Sequence, residues 1–390
     1  MGDIPPSFFE VIRKYMPSLK NKFSGMPSLD DLKRVVSSAE RIPNSILYIP
    51  VILRWFLLAI RYRSITLPTA SNPMIETGGF MGESKSSVMN MVGDEQRVWV
   101  ADFVTLHRNG EDTETDLKKA LELMEGRGLG FPIVAKPDIG WNGYGVNLVE
   151  DSNHLHKYIA SFPSNENIIL QRPVHHDGEA GVFYVRIPGE EKGSLYSLTL
   201  RYFPYVIGDG KSTLTELIHN DPRTKMRADF YLGGKSNHLG FGKEDLDHVP
   251  QEGELIRLTF IGSLRVGGLY RDAGHLMTPE LTQRFDAIAR SMPEFYYGRF
   301  DVRFESTDLL KEGKGFSIIE INGAGAEAIQ AWDPDVPVRK LYSEFFKAQS
   351  LLFRVGALNR KRGFKPMSAW SFIKAIRKQN RLVDAYPPAG

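Results

Sequence analysis

The chain has no cysteine among its 390 residues. That excludes disulfide staples, thiolate nucleophiles and cysteine-ligated zinc, and it suits a reducing compartment. Net charge is also scarce. Lys and Arg number 49 against 47 Asp and Glu, a formal +2, so no global field calls for nucleic acid or for acidic partners. The first residues lack the basic, apolar and small-residue segments of a secretory signal. Met1-Gly2 is followed by Pro6 where a myristoylation motif takes Ser or Thr. Internal repeats and low-complexity segments are missing. Long apolar runs are missing too. The most apolar stretch, Ser45 to Ile60, has 16 residues and carries Pro50 and Arg54, short of the roughly 20 residues that a membrane span needs. It reads as a buried helix or as a monotopic helix lying on a bilayer, and Arg61 and Arg63 after it suit either. The expected location is cytoplasmic, with membrane association left open.

What is present is globular. With 42% hydrophobic and 25% charged residues, the chain can bury a core spread over two or three subdomains. Four regions are expected. Residues 1–100 are mostly helical, with Ser28 opening a capped helix through Ala39, the apolar run next, and a short strand leaving it. Residues 101–195 alternate helix and strand. Residues 196–350 form a larger α+β unit, and 351–390 a basic tail. Residues 72–85, glycine-rich and polar, form a substrate loop or an interdomain connection. From Arg354 to Arg381 there are nine Lys or Arg and no acid, with Trp370, Phe372, Ile373 and Ile376 interleaved. That segment is a solvated basic helix packed on the protein or a contact for a membrane surface or polyanion.

In "FPIVAKPDIGWNGYGVNLVED" a β-rich run ends at Lys136, a loop carries Gly140, Gly143, Tyr144 and Gly145, and a second β-rich run follows. A Walker loop or dinucleotide fingerprint leads from strand to helix. Here the loop leads from strand to strand, so it is a hairpin flap. Its glycines let backbone N–H groups approach phosphates, with Lys136 at its base. A structural hairpin without ligand is the alternative. Gln171, Arg172 and Val174 then leave a buried strand, a plausible seat for adenine, and Glu179 precedes the next strand. His175 and His176 are adjacent and point opposite ways, so they make no metal pair.

"GRFDVRFESTDLLKEGKGFSIIEINGAG", Gly298 to Gly325, reads as two paired strands. Arg299, Asp301 and Arg303 share a face of the first, and Glu320 and Asn322 a face of the second. Surface salt bridges with Arg303 and Lys314 are the bland explanation of these acids.

A lysine-ended strand, a glycine flap, a strand end followed by Glu179, and a distant Arg-x-Asp with Glu-x-Asn together resemble the ATP-grasp superfamily over roughly residues 82–350. Within it the chain is similar to the D-alanine–D-alanine ligases and to the ATP-grasp part of cyanophycin synthetase, to the latter in the flap and in Leu200–Ile218, and Val249–Gly274 resembles the family's glycine-bearing segment. The resemblance implies an α+β fold in which two subdomains grip ATP. It implies that Asp301, Glu320 and Asn322 hold two Mg²⁺ ions, with Mn²⁺ able to substitute. Arg299 would face the transferred phosphoryl group. Lys136 and Lys85 would hold phosphates, Gln171, Arg172 and Val174 adenine, and Glu179 ribose. One or two of Arg201, Arg257, Arg265 and Arg271 would clamp a substrate carboxylate. The implied reaction joins a small-molecule carboxylate to an amine through an acyl phosphate, releasing ADP and phosphate. A small-molecule kinase and a non-catalytic ATP-binding or membrane-surface protein are the other readings, and a homo-oligomer is left open. The chain departs from the D-alanine ligase pattern in a longer Ser306–Gly315 loop, in "GAGAEAIQAWDP" without the Pro-Gly after Asn322, and in a start that lacks βαβ alternation.

Overall fold

A computed structural model describes residues 25–29, 32–110, 112–232 and 243–387. The elements that position the site are α1 (Asn44–Leu47), α2 (Ile49–Tyr62), α3 (Lys85–Asn90), β1 (Phe103–Arg108), α4 (Thr113–Gly126), β2 (Ile133–Pro137), β3 (Asn147–Val149), α5 (Ser152–Ser161), β4 (Glu166–Gln171), β5 (Gly178–Val185), β6 (Ser194–Tyr202), β7 (Tyr205–Ile207), α6 (Leu214–Asn220), β8 (Leu255–Arg257), β9 (Leu269–Asp272), α7 (Pro279–Ser291), β10 (Tyr297–Phe304), α8 (Thr307–Lys311), β11 (Phe316–Asn322), α9 (Val338–Lys361) and α10 (Ala369–Ala385). The chain is α+β, with antiparallel sheets.

The smaller sheet has the order β1-β4-β2-β3, and β2 and β3 form the hairpin whose connection is the glycine loop. Its apolar face packs under α4 and α5, where Leu106, Ile133, Leu155, Ile159, Phe162 and Ile168 form one core. Asp112 and Asp151 cap those two helices by accepting first-turn backbone N–H bonds. The larger sheet has the order β11-β10-β5-β6-β9 and packs on α7 through Val182, Leu198, Phe285, Ile288, Phe300 and Val302. β5 belongs to this sheet, pairing with β6 and β10. The boundary between the two sheets therefore falls between Gln171 and Gly178 rather than near 195. Pairing decides it, because β5 is buried along its whole length and a strand buried on both faces needs neighbours on both edges.

Three further expectations are corrected. The capped helix from Ser28 to Ala39 does not form over 32–38, which run as turns into a short 3-10 helix at Ala39–Arg41. Asp30 and Asp31 lie outside the described residues. Arg223 organises this segment by donating to the Val35 carbonyl and to the Glu40 carboxylate, so tertiary contacts override helix propensity. The strand after the apolar helix is instead a buried 3-10 turn, Leu67–Ala70. The basic region does not begin as a separate tail at 351, while its packing on the protein agrees with one of the two readings of the sequence. Residues 351–361 complete α9, and α10 lies across the molecule, with Gln379 accepting from the Gly82 N–H and Tyr386 stacked on Phe162.

The apolar run forms α1 and α2, and Asn44–Tyr62 is, against the expectation from sequence, long and apolar enough to cross a membrane by length and composition; its most apolar 18-residue window has mean hydropathy 1.5 and is 17% buried. The buried-helix reading therefore fails for most of its surface. One stripe packs on α9, with the Trp55 ring 4.9 Å from Phe353 and Tyr48 stacked on Phe345. The opposite stripe is exposed.

Candidate active site

A cavity of about 1210 Å³ opens between the two sheets and reaches back to α2. Lys85, Lys136, Gly140, Gly143, Tyr144, Gln171, Arg172, Val174, Glu179, Arg201, Arg265, Arg299, Asp301, Glu320 and Asn322 all line it. Residues separated by more than 200 positions in sequence thus share one space.

Strand pairing produces the acidic centre. Across β10 and β11, Asp301 stands opposite Glu320 and Arg299 opposite Asn322, with a register shift directly after Asp301. The shift displaces the ladder where the polar side chains enter the cavity. Asp301 is buried and compensated from two sides: Arg299 donates to it at 2.6 and 3.0 Å, and Arg201 lies 3.2 Å away. The Asn322 amide donates to the same carboxylate at 3.3 Å. Arg201 and Arg303 also hold Glu179, at 3.1 and 2.9 Å. A buried carboxylate is tolerable only with such partners.

The two lysines are held differently. Lys85 forms an ion pair with Glu320. Its position is set by Asp138, which accepts from the Ser84 hydroxyl at 2.7 Å and the Ser86 N–H at 2.8 Å, while the Lys85 N–H donates to the Asp138 carbonyl. Lys136 donates to Gln171 Oε1 and to the Ile319 carbonyl, both at 2.8 Å. Burial disfavours both charges. For Lys85 burial is the largest single effect, but Glu320, Glu83 and Asp301 together outweigh it and the pKa is raised. For Lys136 burial wins and the pKa falls to about 8. Burial pushes Glu320 up, but Lys85 and then Lys136 outweigh it and hold the carboxyl well below the usual range.

The glycine loop is latched. Gly143 and Gly145 adopt φ of +75° and +71°, open to glycine without strain. The Arg265 guanidinium sits 4.0 Å over the Tyr144 ring and donates to the Asn142 carbonyl, so it grips the flap tip. Gly145 is outside the cavity lining; its carbonyl accepts from Tyr158 at the flap base. Arg257 and Arg271 lie outside the lining as well. Arg257 donates to the Thr259 and Phe260 carbonyls, and Arg271 bridges Asp333 and Asp335. Arg257 is thus engaged by backbone carbonyls and Arg271 by two carboxylates, away from the cavity wall.

Several cavity residues carried no sequence signal. Glu327, inside the segment that departs from the ligase pattern, accepts from the Tyr48 hydroxyl at 2.7 Å and from Trp332 Nε1 at 3.0 Å. Burial raises its pKa. Glu83 lines the cavity too, its Oε2 is buried without a hydrogen-bond partner among the described residues, and burial raises its pKa. An i, i+2 acid beside Lys85 is common enough in sequences to pass unnoticed. Asp138, read only as part of the flap, is the buried anchor of Lys85.

The donor types match a hard cation, although Asp301 is held here by Arg299 and Arg201, and Glu320 by Lys85. Asp301, Glu320 and Asn322 offer only oxygen donors, as Mg²⁺ requires. Among the described residues no three His, Cys, Asp or Glu side chains converge to hold a metal by themselves. Bound phosphates would have to complete such a site.

No protein-family model matches the chain. It is 26% identical over 214 residues to cyanophycin synthetase from Synechocystis sp.. The chain resembles the ATP-grasp enzymes. That match takes in 50% of this chain and 23% of the relative, so the chain spans under a quarter of that protein's length. Among solved structures, similar chains are a D-alanine–D-alanine ligase from Bacillus anthracis (13% identical, 74% of this chain and 72% of that one, TM-score 0.40) and the VanG D-Ala:D-Ser ligase from Enterococcus faecalis (11%, 72% and 64%, TM-score 0.39). A bifunctional glutathione synthetase from Pasteurella multocida is 15% identical over 70% of this chain and 38% of that one, with TM-score 0.33.

Proposed function

We propose that this protein is an ATP-dependent carboxylate–amine ligase that forms an amide or peptide-like bond. The observation that carries this reading is the shared cavity, where two lysines and Arg299 converge on a paired Asp301–Glu320 centre beneath a glycine flap. Its volume exceeds the roughly 300–1,000 Å³ of ordinary ligand pockets, which leaves room for a nucleotide and a second substrate.

In the first step a substrate carboxylate oxygen attacks the γ-phosphorus, the bond to the β–γ bridging oxygen breaks, and ADP leaves. In the second an amine nitrogen attacks the acyl carbon, the carbon–oxygen bond to phosphate breaks, and the nitrogen loses a proton. Lys85, Lys136 and Arg299 hold phosphate oxygens, and Arg299 faces the moving phosphoryl group. Asp301, Glu320 and Asn322 would hold Mg²⁺, which neutralises phosphate charge when bound. For that, Lys85 must exchange Glu320 for a phosphate partner. The flap, gripped by Arg265, excludes the water that would hydrolyse an acyl phosphate. Gln171, Arg172 and Val174, with Val134 beside them in the cavity wall, would seat adenine, and Glu179 the ribose, after release from Arg201 or Arg303.

The test is nucleotide turnover with Mg²⁺, hydroxylamine and pooled carboxylates. ADP with an acyl hydroxamate supports the ligase. ADP with a phosphorylated pool member and no hydroxamate replaces it with a kinase. ATP binding without turnover across the pool points to the non-catalytic reading.

A further inference from the structure

A helix on the surface of a water-soluble domain shows one apolar stripe and one charged stripe. α2 shows two apolar stripes. Its inner stripe, with Tyr48 just before it, places Val51 and Trp55 in the cavity wall. Its outer stripe is Ile49, Ile52, Leu53, Phe56, Leu57 and Ile60, at i, i+3, i+4, i+7, i+8 and i+11, and every one is at least half exposed, Ile60 reaching 74%. Trp370 and Ile373 of α10 are exposed as well. α10 adjoins α2 through Phe80, on which Phe372 packs and which packs in turn on Trp55. The six-residue outer stripe of α2 is a contiguous apolar surface of the kind that marks a contact site.

The charge around the face selects the occupant. Residues 44–62 contain no acid, nor do residues 354–381. Arg61 and Arg63 close α2, and Arg360 donates to the Tyr62 carbonyl, which brings α9's basic end beside them. Lys365 stands beside the connector that Thr66 and Thr69 bond at Met367. Lys374 covers the Trp370 ring. Exposed leucine, isoleucine and phenylalanine, an exposed tryptophan and a basic rim are what a peripheral helix offers to anionic lipid. A second copy of the chain would instead oppose the same cations across a two-fold axis.

The cavity gives the face a purpose. Arg299 lies against the Glu327 carbonyl, Glu327 against Tyr48 and Trp332, and beyond them Val51, Trp55, Phe80, Phe345 and Leu352 make an apolar end walled by α2. An acid with its carboxylate beside Arg299 would point its remainder there. We propose that the outer face of α2, with Trp370 and Ile373, docks on an anionic bilayer, and that the cavity behind it takes the apolar tail of a membrane-borne carboxylate substrate. The substrate half rests on the ligase reading; the docking half does not.

The test uses the full chain with vesicles of phosphatidylcholine alone or mixed equally with phosphatidylglycerol. The variants are Leu53→Gln/Leu57→Gln/Ile60→Gln and Lys361→Glu/Lys365→Glu/Lys374→Glu. All six side chains are exposed, so both proteins should fold, with unchanged thermal melting as the check. The wild type should be retained on anionic vesicles. Retention should fall roughly 100-fold in the glutamine variant, and at least about tenfold in the glutamate variant or at high salt. Equal retention of wild type and glutamine variant, no retention of the wild type, or a dimer that the glutamine variant dissolves would each overturn the docking. With hydroxylamine as acceptor, N-dodecanoylglycine should exceed N-acetylglycine in kcat/KM by at least about tenfold, since each buried methylene contributes to binding. Equal values would overturn the tail. Hydroxamate from neither acid, with vesicle retention intact, would remove the ligase reading and leave the docking face supported.

Discussion

Nucleotide affinity should weaken above pH 8, and the cause should be one lysine. Lys136 is buried, and its pKa is lowered from 10.5 to about 8. Its nearest partners, Gln171 and the Ile319 carbonyl, are neutral acceptors that stabilise the ammonium less than a carboxylate would. Lys85, whose pKa is raised, keeps its charge throughout this range, and Glu320, whose pKa is lowered, is already ionised. With a pKa near 8, about 90% of Lys136 is charged at pH 7 and about 10% at pH 9. Binding to phosphates requires the charged form, so the Kd of a non-hydrolysable Mg–ATP analogue should rise about tenfold over that interval, roughly 1.4 kcal/mol. At pH 8 binding should take up about half a proton, since phosphates restore the ammonium. Titration calorimetry in two buffers of different ionisation heat measures both quantities. Lys136→Arg should flatten the profile, because a guanidinium stays charged. A wild-type Kd constant from pH 7 to 9, without proton uptake, would refute the reasoning. For stability the sign is the reverse. Burying the ammonium costs stability below pH 8, and that cost fades as pH rises from about 8 towards 10.5.

Asp301→Asn should abolish turnover and also lower stability by about 3 kcal/mol, because Arg201 and Arg299 lose a buried counter-charge; retained turnover would contradict its assignment. Gly181→Ala places a Cβ 2.8 Å from Arg299 Cδ and 2.9 Å from Ile329 Cδ1, so kcat should drop at least about tenfold with the analogue's Kd nearly unchanged. An unchanged kcat would mean that Arg299 yields without cost. Glu327→Gln should raise KM for the second substrate about tenfold and leave nucleotide affinity alone; the reverse pattern would place Glu327 at the nucleotide end.

The local periods of the sequence carried much of the site. Alternation in Arg299–Glu305 and Phe316–Asn322 put Asp301 and Glu320 on cavity-facing positions, and the pairing sets them opposite each other. Lys136 and its glycine hairpin were readable because strand, loop and strand follow one another in sequence. Partners far apart in the chain were not readable. Arg257 and Arg271 look like Arg201 in sequence, yet one braces carbonyls and the other bridges two aspartates. Glu327 gains its role from Tyr48, 279 positions away. The apolar run showed its period but not which stripe faces water, since both stripes of α2 are hydrophobic and only α9's position distinguishes them.

The most direct test of the central claim follows an oxygen atom. The carboxylic acid selected by the hydroxamate screen, labelled with ¹⁸O in its carboxyl group, is turned over with Mg–ATP and an amine, and the released phosphate is analysed by mass spectrometry. Attack of the carboxylate on the γ-phosphorus predicts one ¹⁸O atom in each phosphate formed. Phosphate that carries no label, alongside product formation, would contradict an acyl-phosphate ligase.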